Sequence, residues 1–467
     1  MNLASALRLV PDSVVTFTGA GGKTTAMVRL GQELAAQGTR VLATTTTRLG
    51  LDQLRLFPAF LVDPRPQDVA VMLAKARFLL IVRSIDRQQD KALGYPPERI
   101  AGFRSLADVV LVEGDGSRGL PVKAPAPHEP VVPDSTSHLV NVVNLAALGQ
   151  TVGPETVHHP TCFAELTGTR PDDRITLAVL ARLLLHPDGP ARGAPVGAER
   201  YFLLNGASSA PDRGRVPPQP SNLQPSTSYD AAERLAVRLA GAPHTTAALL
   251  AEVAQEPPVL ASVGKVAAVV LAAGASSRFG SPKQLLDWQG QPLLRHVVLQ
   301  TLAAPVQQVV VVVGAHFEEV TMTLQGLPVT MVYNPDWEQG QSTSMQAGLR
   351  ACAPETQAVL FALGDQPALP AELTQRLVAA HRQTLAPIVA PRHRGHRGNP
   401  VLFDRTCFAE LLAVTGDSGG RSLFTKHADQ VVWIETGPET LDDIDRPEDV
   451  AGGPGASRTR EQLSSGS

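Results

Sequence analysis

The chain is expected to fold as α/β, in two domains each built on a mostly parallel sheet. Strand-like apolar runs alternate with amphipathic segments in two separate series, the pattern of βα layers. Each series opens on an apolar strand that runs into a loop of small residues followed by a cation, Gly19 to Lys23 in the first and Gly274 to Lys283 in the second. The boundary is placed within 261–265, giving domains of 1–262 and 263–452. A tail, 453–467, is rich in Gly, Ser and Arg with almost nothing apolar and is expected to be disordered.

At 467 residues, 43% hydrophobic and 18% charged, the composition is that of ordinary globular protein, with room for about two to four domains. A formal net charge of −3 and the lack of a polybasic run give no reason to expect nucleic acid or a membrane surface as partner. Small molecules are the expected ligands. Cys162, Cys352 and Cys407 are scattered, so neither a disulfide framework nor a zinc site is indicated and buried thiols are expected. The first residues lack a charged segment followed by an apolar one, and no run reaches about eighteen apolar residues, which fits a cytoplasmic enzyme.

In the first domain 14–18, 40–44, 78–83, 108–113, 139–143 and 201–205 read as strands, and 23–37 and 67–76 as helices. The stretch 206–228, dense in Ser, Pro and Gly, reads as a mobile loop, after which amphipathic 231–239 returns to the domain. Gly19-Ala20-Gly21-Gly22-Lys23-Thr24-Thr25 lies between a strand and a helix, the setting of a phosphate-binding loop. It is a shortened form, with Phe17 where the full G-x-x-x-x-G-K-[ST] pattern has its first glycine. Gly19, Gly21 and Gly22 would offer backbone N–H groups to the phosphates of ATP, Lys23 would meet the β- and γ-phosphates, and Thr24 a metal ion. A structural glycine turn is the alternative. Glu113 and Asp115 end the next inner strand, where a metal-positioning acid is expected.

In the second domain strands are expected at 266–271, 309–313, 329–333, 358–363, 387–390 and 431–435, with a helix at 292–302. The first strand delivers Leu271-Ala272-Ala273-Gly274, whose small residues let backbone N–H groups approach an anion, while Arg278 and Lys283 supply charge where a polyphosphate would lie. Strand 358–363 delivers Asp365 at its carboxyl end, where open α/β sheets place ligands. Its carboxylate suits Mg²⁺, a hard ion that bridges protein to phosphates; capping the following turn is the alternative. Asp445 is the candidate second metal contact, although capping the helix begun by Pro447 accounts for it equally and Asp443 is its rival. Ser344 would bond the base or ribose, or cap its helix.

The run L-A-A-G-x-S-x-R-x-G-x-x-K from Leu271 to Lys283 resembles the signature of the NTP transferases that cap molybdopterin with a nucleotide, and among them the molybdenum cofactor cytidylyltransferases. Segments 334–345, 394–403, 415–421 and 441–449 resemble further elements of that family. The resemblance implies a Rossmann-like nucleotidyltransferase fold, an α/β/α domain like those of nucleotide-diphospho-sugar transferases. It also implies CTP and molybdopterin as substrates with Mg²⁺, catalysis by Arg278, Lys283 and Asp365, and a nucleotide site at Leu271, Ala272, Ala273, Gly274 and Ser344. Gly398, Asn399 and Pro400 would lie on the pterin side, with Asn399 where histidine is usual. Ala273 favours cytidine, since members that use GTP typically read L-A-G-G.

The run from Val112 to Pro130, with Gly19 to Thr25 and Thr44-Thr45-Thr46-Thr47, resembles the accessory proteins of selenium-dependent molybdenum hydroxylases. Gly114 replaces the usual alanine, and Pro160 follows His159 where arginine is more familiar. Lys123 and His128 would bind an anion or pair with Glu129. The two resemblances together imply cytidylyl transfer to molybdopterin fused to nucleotide-dependent cofactor maturation, with a molybdenum hydroxylase apoenzyme as partner. Guanylyl or sugar-phosphate transfer, and an insertion chaperone that binds cofactor without turnover, are the alternatives.

Overall fold

The computed structural model describes residues 1–207, 225–275, 282–367, 370–416 and 420–437, with the backbone alone for 225–228. Arg278, Asp443, Asp445, the tail 453–467 and most of the expected loop 206–228 lie outside the described residues. The chain divides into two compact units, Met1–Val263 and Gly264–Ser467.

Unit 1 is built on β1 (Ser13–Gly19), β2 (Val41–Thr45), β3 (Phe60–Val62), β4 (Phe78–Val82), β5 (Val109–Glu113), β6 (His138–Asn144), β7 (Glu199–Asn205) and β8 (Ala247–Ala251). They lie in the order β8-β7-β6-β1-β5-β2-β4-β3, and each neighbouring pair is parallel. Parallel strands are covered on both faces, which explains why β1, β2, β4 and β5 are buried along their whole length. Helix α1 (Lys23–Ala36) packs Met27, Leu30 and Leu34 against Phe17, Val41 and Phe78 on one face. On the other face, α2 (Pro66–Ala76) sets Val69 and Leu73 against Val14, Leu42 and Leu79. There too α3 (Leu177–Leu185) and α4 (Pro225–Gly241) cover Val143, Phe202 and Leu204. Because α4 begins at Pro225, the loop expected through 228 ends earlier, with proline opening the helix. Chain order reverses around β1, whose neighbours β5 and β6 follow it from opposite sides, so its carboxyl end is a switch point where a crevice opens.

Unit 2 takes residues from 265 on of β9 (Val259–Ala272), with β10 (Gln308–Val313), β11 (Thr330–Tyr333), β12 (Thr356–Leu363), β13 (Ile388–His393), β14 (Val401–Asp404) and β15 (Val431–Glu435). The order is β11-β10-β9-β12-β14-β13-β15. β14 is antiparallel to both of its neighbours, the short strand His396–Arg397 turns back on β13 as an antiparallel hairpin, and the other pairs are parallel. This is a layered, Rossmann-like α/β/α arrangement. Helices α5 (Leu293–Leu302) and α7 (Ala371–Thr384) pack on the face that carries Val266, Ala268 and Val270. α6 (Gln341–Arg350) packs on the face that carries Val269, Val310 and Val312. No helix among the described residues is long and apolar enough to cross a membrane. Of the three thiols only Cys407 is buried; Cys162 and Cys352 are partly exposed, contrary to expectation.

Candidate active site

In unit 2 the parallel strands end together along one edge. β9 runs out at Ala272, so Ala273 and Gly274 lie on that edge; β11 is followed by Asn334, and β12 by Gly364 and Asp365. Val401 pairs with Phe361, which brings Gly398, Asn399 and Pro400 to the same edge as Asp365. Gly364 is where two strand ends come close: its N–H donates to the Leu271 carbonyl at 2.9 Å, and a Cβ there would lie 3.0 Å from the same oxygen. Asp365 is thereby held beside the Leu271 to Gly274 loop.

Lys283 sits in a 3₁₀ turn, Lys283–Leu285, and its Nζ lies 3.6 Å from Asp365 Oδ2. The side chain of Lys283 is 12% exposed and that of Asp365 35%. Next to it Gln284 is buried, and its Nε2 donates to the carbonyls of Ala272 at 3.1 Å and Gly274 at 2.7 Å. Those bonds turn two loop carbonyls inward. Gln284 is a site residue that sequence reasoning missed, because only the folded loop shows which carbonyls lack a partner.

Ser344 is buried in the first turn of α6, and Asn334 Nδ2 donates to its Oγ at 3.0 Å and to Thr343 Oγ1 at 2.9 Å. Asparagine thus ties the end of β11 to the start of a helix, whose N-terminal dipole faces the strand ends. On the hairpin, Gly398 N–H donates to the Pro391 carbonyl at 3.0 Å. Arg397 lies over the Phe424 ring at 4.5 Å, and His393 Nδ1 is bonded to the Thr436 carbonyl at 2.8 Å. Among the described residues no cluster of three or more His, Cys, Asp or Glu could hold a metal by itself. Asp365 offers one hard carboxylate beside a cation, a donor set that fits Mg²⁺ shared with substrate phosphates.

In unit 1 a cleft of about 1580 Å³ opens at the carboxyl ends of the strands, lined by Gly21, Gly22, Lys23, Thr24, Glu113, Asn144 and Asn205 among others. Gly19 has φ +89°, and a Cβ would meet the Val142 carbonyl at 2.3 Å, so the turn from β1 into the loop admits only glycine. Lys23 Nζ donates to the Gly19 carbonyl at 2.6 Å and pairs with Asp115 at 3.2 Å. Thr24 Oγ1 donates to Glu113 Oε2 at 2.9 Å. Burial pushes the Glu113 carboxyl above the usual range, against the opposing effects of the Lys23 charge and the Thr24 bond. A hydroxyl bonded to a carboxylate at a helix start is a donor pair suited to a hard divalent ion.

Asp115 serves two lysines. It accepts from the Gly19 N–H at 3.1 Å and lies 3.2 Å from Lys23 and 3.3 Å from Lys123. Lys123, fully buried, pairs with Glu129 at 2.7 Å, whereas His128 is exposed and lines the cleft. Burial pushes Glu129 up, but the bond and charge of Lys123 outweigh this and hold it below its ordinary value. Arg192 donates to the carbonyls of Ala126, Pro127 and Glu129 and so steadies the loop after Lys123. Nothing in its sequence surroundings marks that role.

Residues 268–431 match the family described as MobA-like NTP transferase domain, and residues 15–161 the family described as YqeC protein. The YqeC protein of Escherichia coli is 37% identical over 195 residues, 41% of this chain and 75% of its own length. The nicotine blue oxidoreductase of Paenarthrobacter nicotinovorans is 32% identical over 194 residues, 40% of this chain and 94% of its own. The molybdenum cofactor cytidylyltransferase of Escherichia coli is 26% identical over 182 residues, 39% of this chain and 91% of its own.

Proposed function

The chain belongs to the YqeC family through its first unit and to the MobA-like NTP transferases through its second, which makes it a nucleotidyltransferase, and we propose that it transfers CMP from CTP to molybdopterin. The observation that carries this reading is the Lys283–Asp365 pair, 3.6 Å apart beside the Leu271 to Gly274 loop at the carboxyl edge of the sheet. Ala272-Ala273 in that loop, and the relative named as a molybdenum cofactor cytidylyltransferase, support cytidine and the pterin acceptor.

The terminal phosphate monoester of molybdopterin attacks the α-phosphorus of CTP, a P–O bond forms to the incoming oxygen, and pyrophosphate departs. A phosphate monoester has a second pKa of about 6 and is largely ionised at neutral pH, so no general base is required. Lys283 neutralises charge on the triphosphate and, with the loop N–H groups, aligns it for in-line displacement. Asp365 would hold Mg²⁺, whose chemistry there would be to offset charge on the phosphate oxygens. Arg278 is assigned to the triphosphate and Asp445 to the metal on sequence grounds. Gly398, Asn399 and Pro400 are assigned to the pterin, supported by their place on the same edge as Asp365.

Unit 1 is read as an ATP site serving cofactor maturation for a molybdenum hydroxylase. Lys23, at the start of α1, would leave the Gly19 carbonyl and Asp115 for the β- and γ-phosphates, and Thr24 with Glu113 would hold Mg²⁺. The relative named as an oxidoreductase shows that one fold hosts more than one chemistry, so turnover must be measured directly. Pyrophosphate release from CTP with Mg²⁺ and molybdopterin, lost in Asp365→Ala, is the expected result. Tight cofactor binding without release would instead favour an insertion chaperone, and preferential use of GTP would reverse the base assignment.

A further inference from the structure

The unit 1 cleft carries further cations besides Lys23 of the loop read above as the nucleotide's seat. A small antiparallel sheet of Arg48–Gly50, Lys91–Leu93 and Ser84–Asp86 forms part of its wall. Leu49 pairs with Ala92 and both are fully buried, so the period-two alternation turns Arg48, Gly50, Lys91 and Leu93 to the other face, and all four line the cleft. Arg83, one position before Ser84, lines it too, as does Arg118 in the loop after Asp115.

These positive charges are poorly matched by protein acids. Among the described residues Arg48 donates to the neutral Gln89, and the side chains of Arg83, Lys91 and Arg118 meet no carboxylate within ion-pair distance, although Asp86 stands opposite Lys91 in the small sheet. Of the acids lining the cleft, Glu113 is bonded to Thr24 and Glu129 to Lys123, leaving Asp52 against the cations of the wall. A cleft lined by one sign of charge concentrates ligands of the other. Its volume of about 1580 Å³ also exceeds the range of about 300–1,000 Å³ that one small-molecule site spans. Several cations, mostly guanidinium forks, match a group with two or more negative charges and pair bidentately with phosphate oxygens.

We infer that unit 1 binds, beside the nucleotide, a second small molecule bearing a phosphate or pyrophosphate group, received by Arg83, Lys91 and Arg118 with Arg48 at the rim. Counting it as a second ligand rests on the nucleotide reading of Gly19 to Thr24; the anion site itself stands on the wall cations. Such a ligand has the chemistry of the phosphate monoester consumed, or the pyrophosphate-bridged dinucleotide formed, in the reaction proposed for unit 2.

The test is calorimetric titration of the full chain carrying Lys283→Ala, which weakens the anion site of unit 2, using inorganic pyrophosphate as probe. The titration is run with and without saturating Mg²⁺ and the β,γ-imido analogue of ATP. Pyrophosphate should bind in the presence of the analogue, and Arg83→Ala with Lys91→Ala should weaken it at least about tenfold while changing analogue affinity less than about twofold. Lys23→Ala should do the reverse. Competition between pyrophosphate and the analogue, or equal loss of both in the double variant, would mean that the wall cations serve the nucleotide's own phosphates and would overturn the inference. Unaltered pyrophosphate binding in the double variant would overturn it as well. If the analogue fails to bind the parent, the nucleotide reading falls, while loss of pyrophosphate binding in the double variant still upholds the anion site.

Discussion

Lys23, Asp115, Lys123 and Glu129 are all buried or nearly so, and two cations answered by two carboxylates make that tolerable. Removing one partner exposes the cost. Asp115→Ala leaves two buried lysines short of charge and should destabilise unit 1 by about 3–5 kcal/mol in urea unfolding of the full chain; a change below about 1 kcal/mol would contradict the network. In unit 2, Gln284→Ala strips the donor from two inward carbonyls. It should cost about 1–3 kcal/mol and raise the KM for CTP more than it lowers kcat, because it loosens the loop without touching the reacting atoms. His158 gives a pH test: burial first, then the neighbouring His159 and Lys123 charges, lower its pKa to about 4. Above the unfolded value of about 6.5 it is neutral in both states, and below that value the unfolded chain takes up a proton that the folded chain refuses. Stability is therefore lost as pH falls from about 6.5 toward about 4, and His158→Gln should lose less than the parent over that window in thermal melts. The places of Lys23, Thr24, Glu113, Lys283 and Asp365 near strand ends were legible because those residue types follow strands at recognisable spacing. Asn334 was marked within 334–345, but its bonds to Thr343 and Ser344, like the contacts of Gln284 and Arg192, were not, since each acts through backbone or hydroxyl groups that only the tertiary fold presents.

Helix α6 shows how packing fixes site geometry. A Cβ on Gly348 would lie 2.3 Å from Val269 Cγ1 and 3.0 Å from Val312 Cγ2, so the helix rests directly on β9 and β10. Gly348→Ala should push the helix outward, costing about 1–3 kcal/mol by overpacking, and should raise the KM for CTP as Ser344 and Asn334 shift. A melting temperature equal to the parent's would show that the helix is not so seated. The long β-branched runs, such as Val309 to Val313 within β10, were readable from sequence, and β15 falls on the expected 431–435. Several elements escaped, β3 and α7 among them, and three show why. β8, Ala-Ala-Leu-Leu-Ala, has the propensity of a helix and is a strand only because β7 offers it a ladder. α3, Leu177–Leu185, has one charged residue in nine, Arg182, and so short an apolar run reads as a buried strand as easily as a helix. β14 is four residues long and antiparallel, pairing by a hairpin return that strand spacing does not announce.

The two units have separate cores, each a wholly or mostly parallel sheet between helices, and each presents candidate residues at strand carboxyl ends. If the proposed ligands are right, Mg²⁺ with an ATP analogue should slow amide exchange around Gly19 to Thr24, and Mg²⁺ with CTP around Leu271 to Gly274. Each effect should be abolished only by its own lysine substitution, Lys23→Ala or Lys283→Ala, and protection crossing over would contradict the assignment of nucleotides. The layering and the place of both loops followed from the alternation of apolar and amphipathic segments. The antiparallel return of β14, which carries Gly398, Asn399 and Pro400 to the edge occupied by Asp365, did not. The most direct test of the account is the rate of pyrophosphate release from CTP with Mg²⁺ and molybdopterin in the parent, Lys283→Ala, Asp365→Ala and Lys23→Ala proteins. Loss of at least about a hundredfold in the two unit 2 variants, with Lys23→Ala near the parent rate, is the predicted result. Full release in Asp365→Ala, or none in the parent, would contradict it.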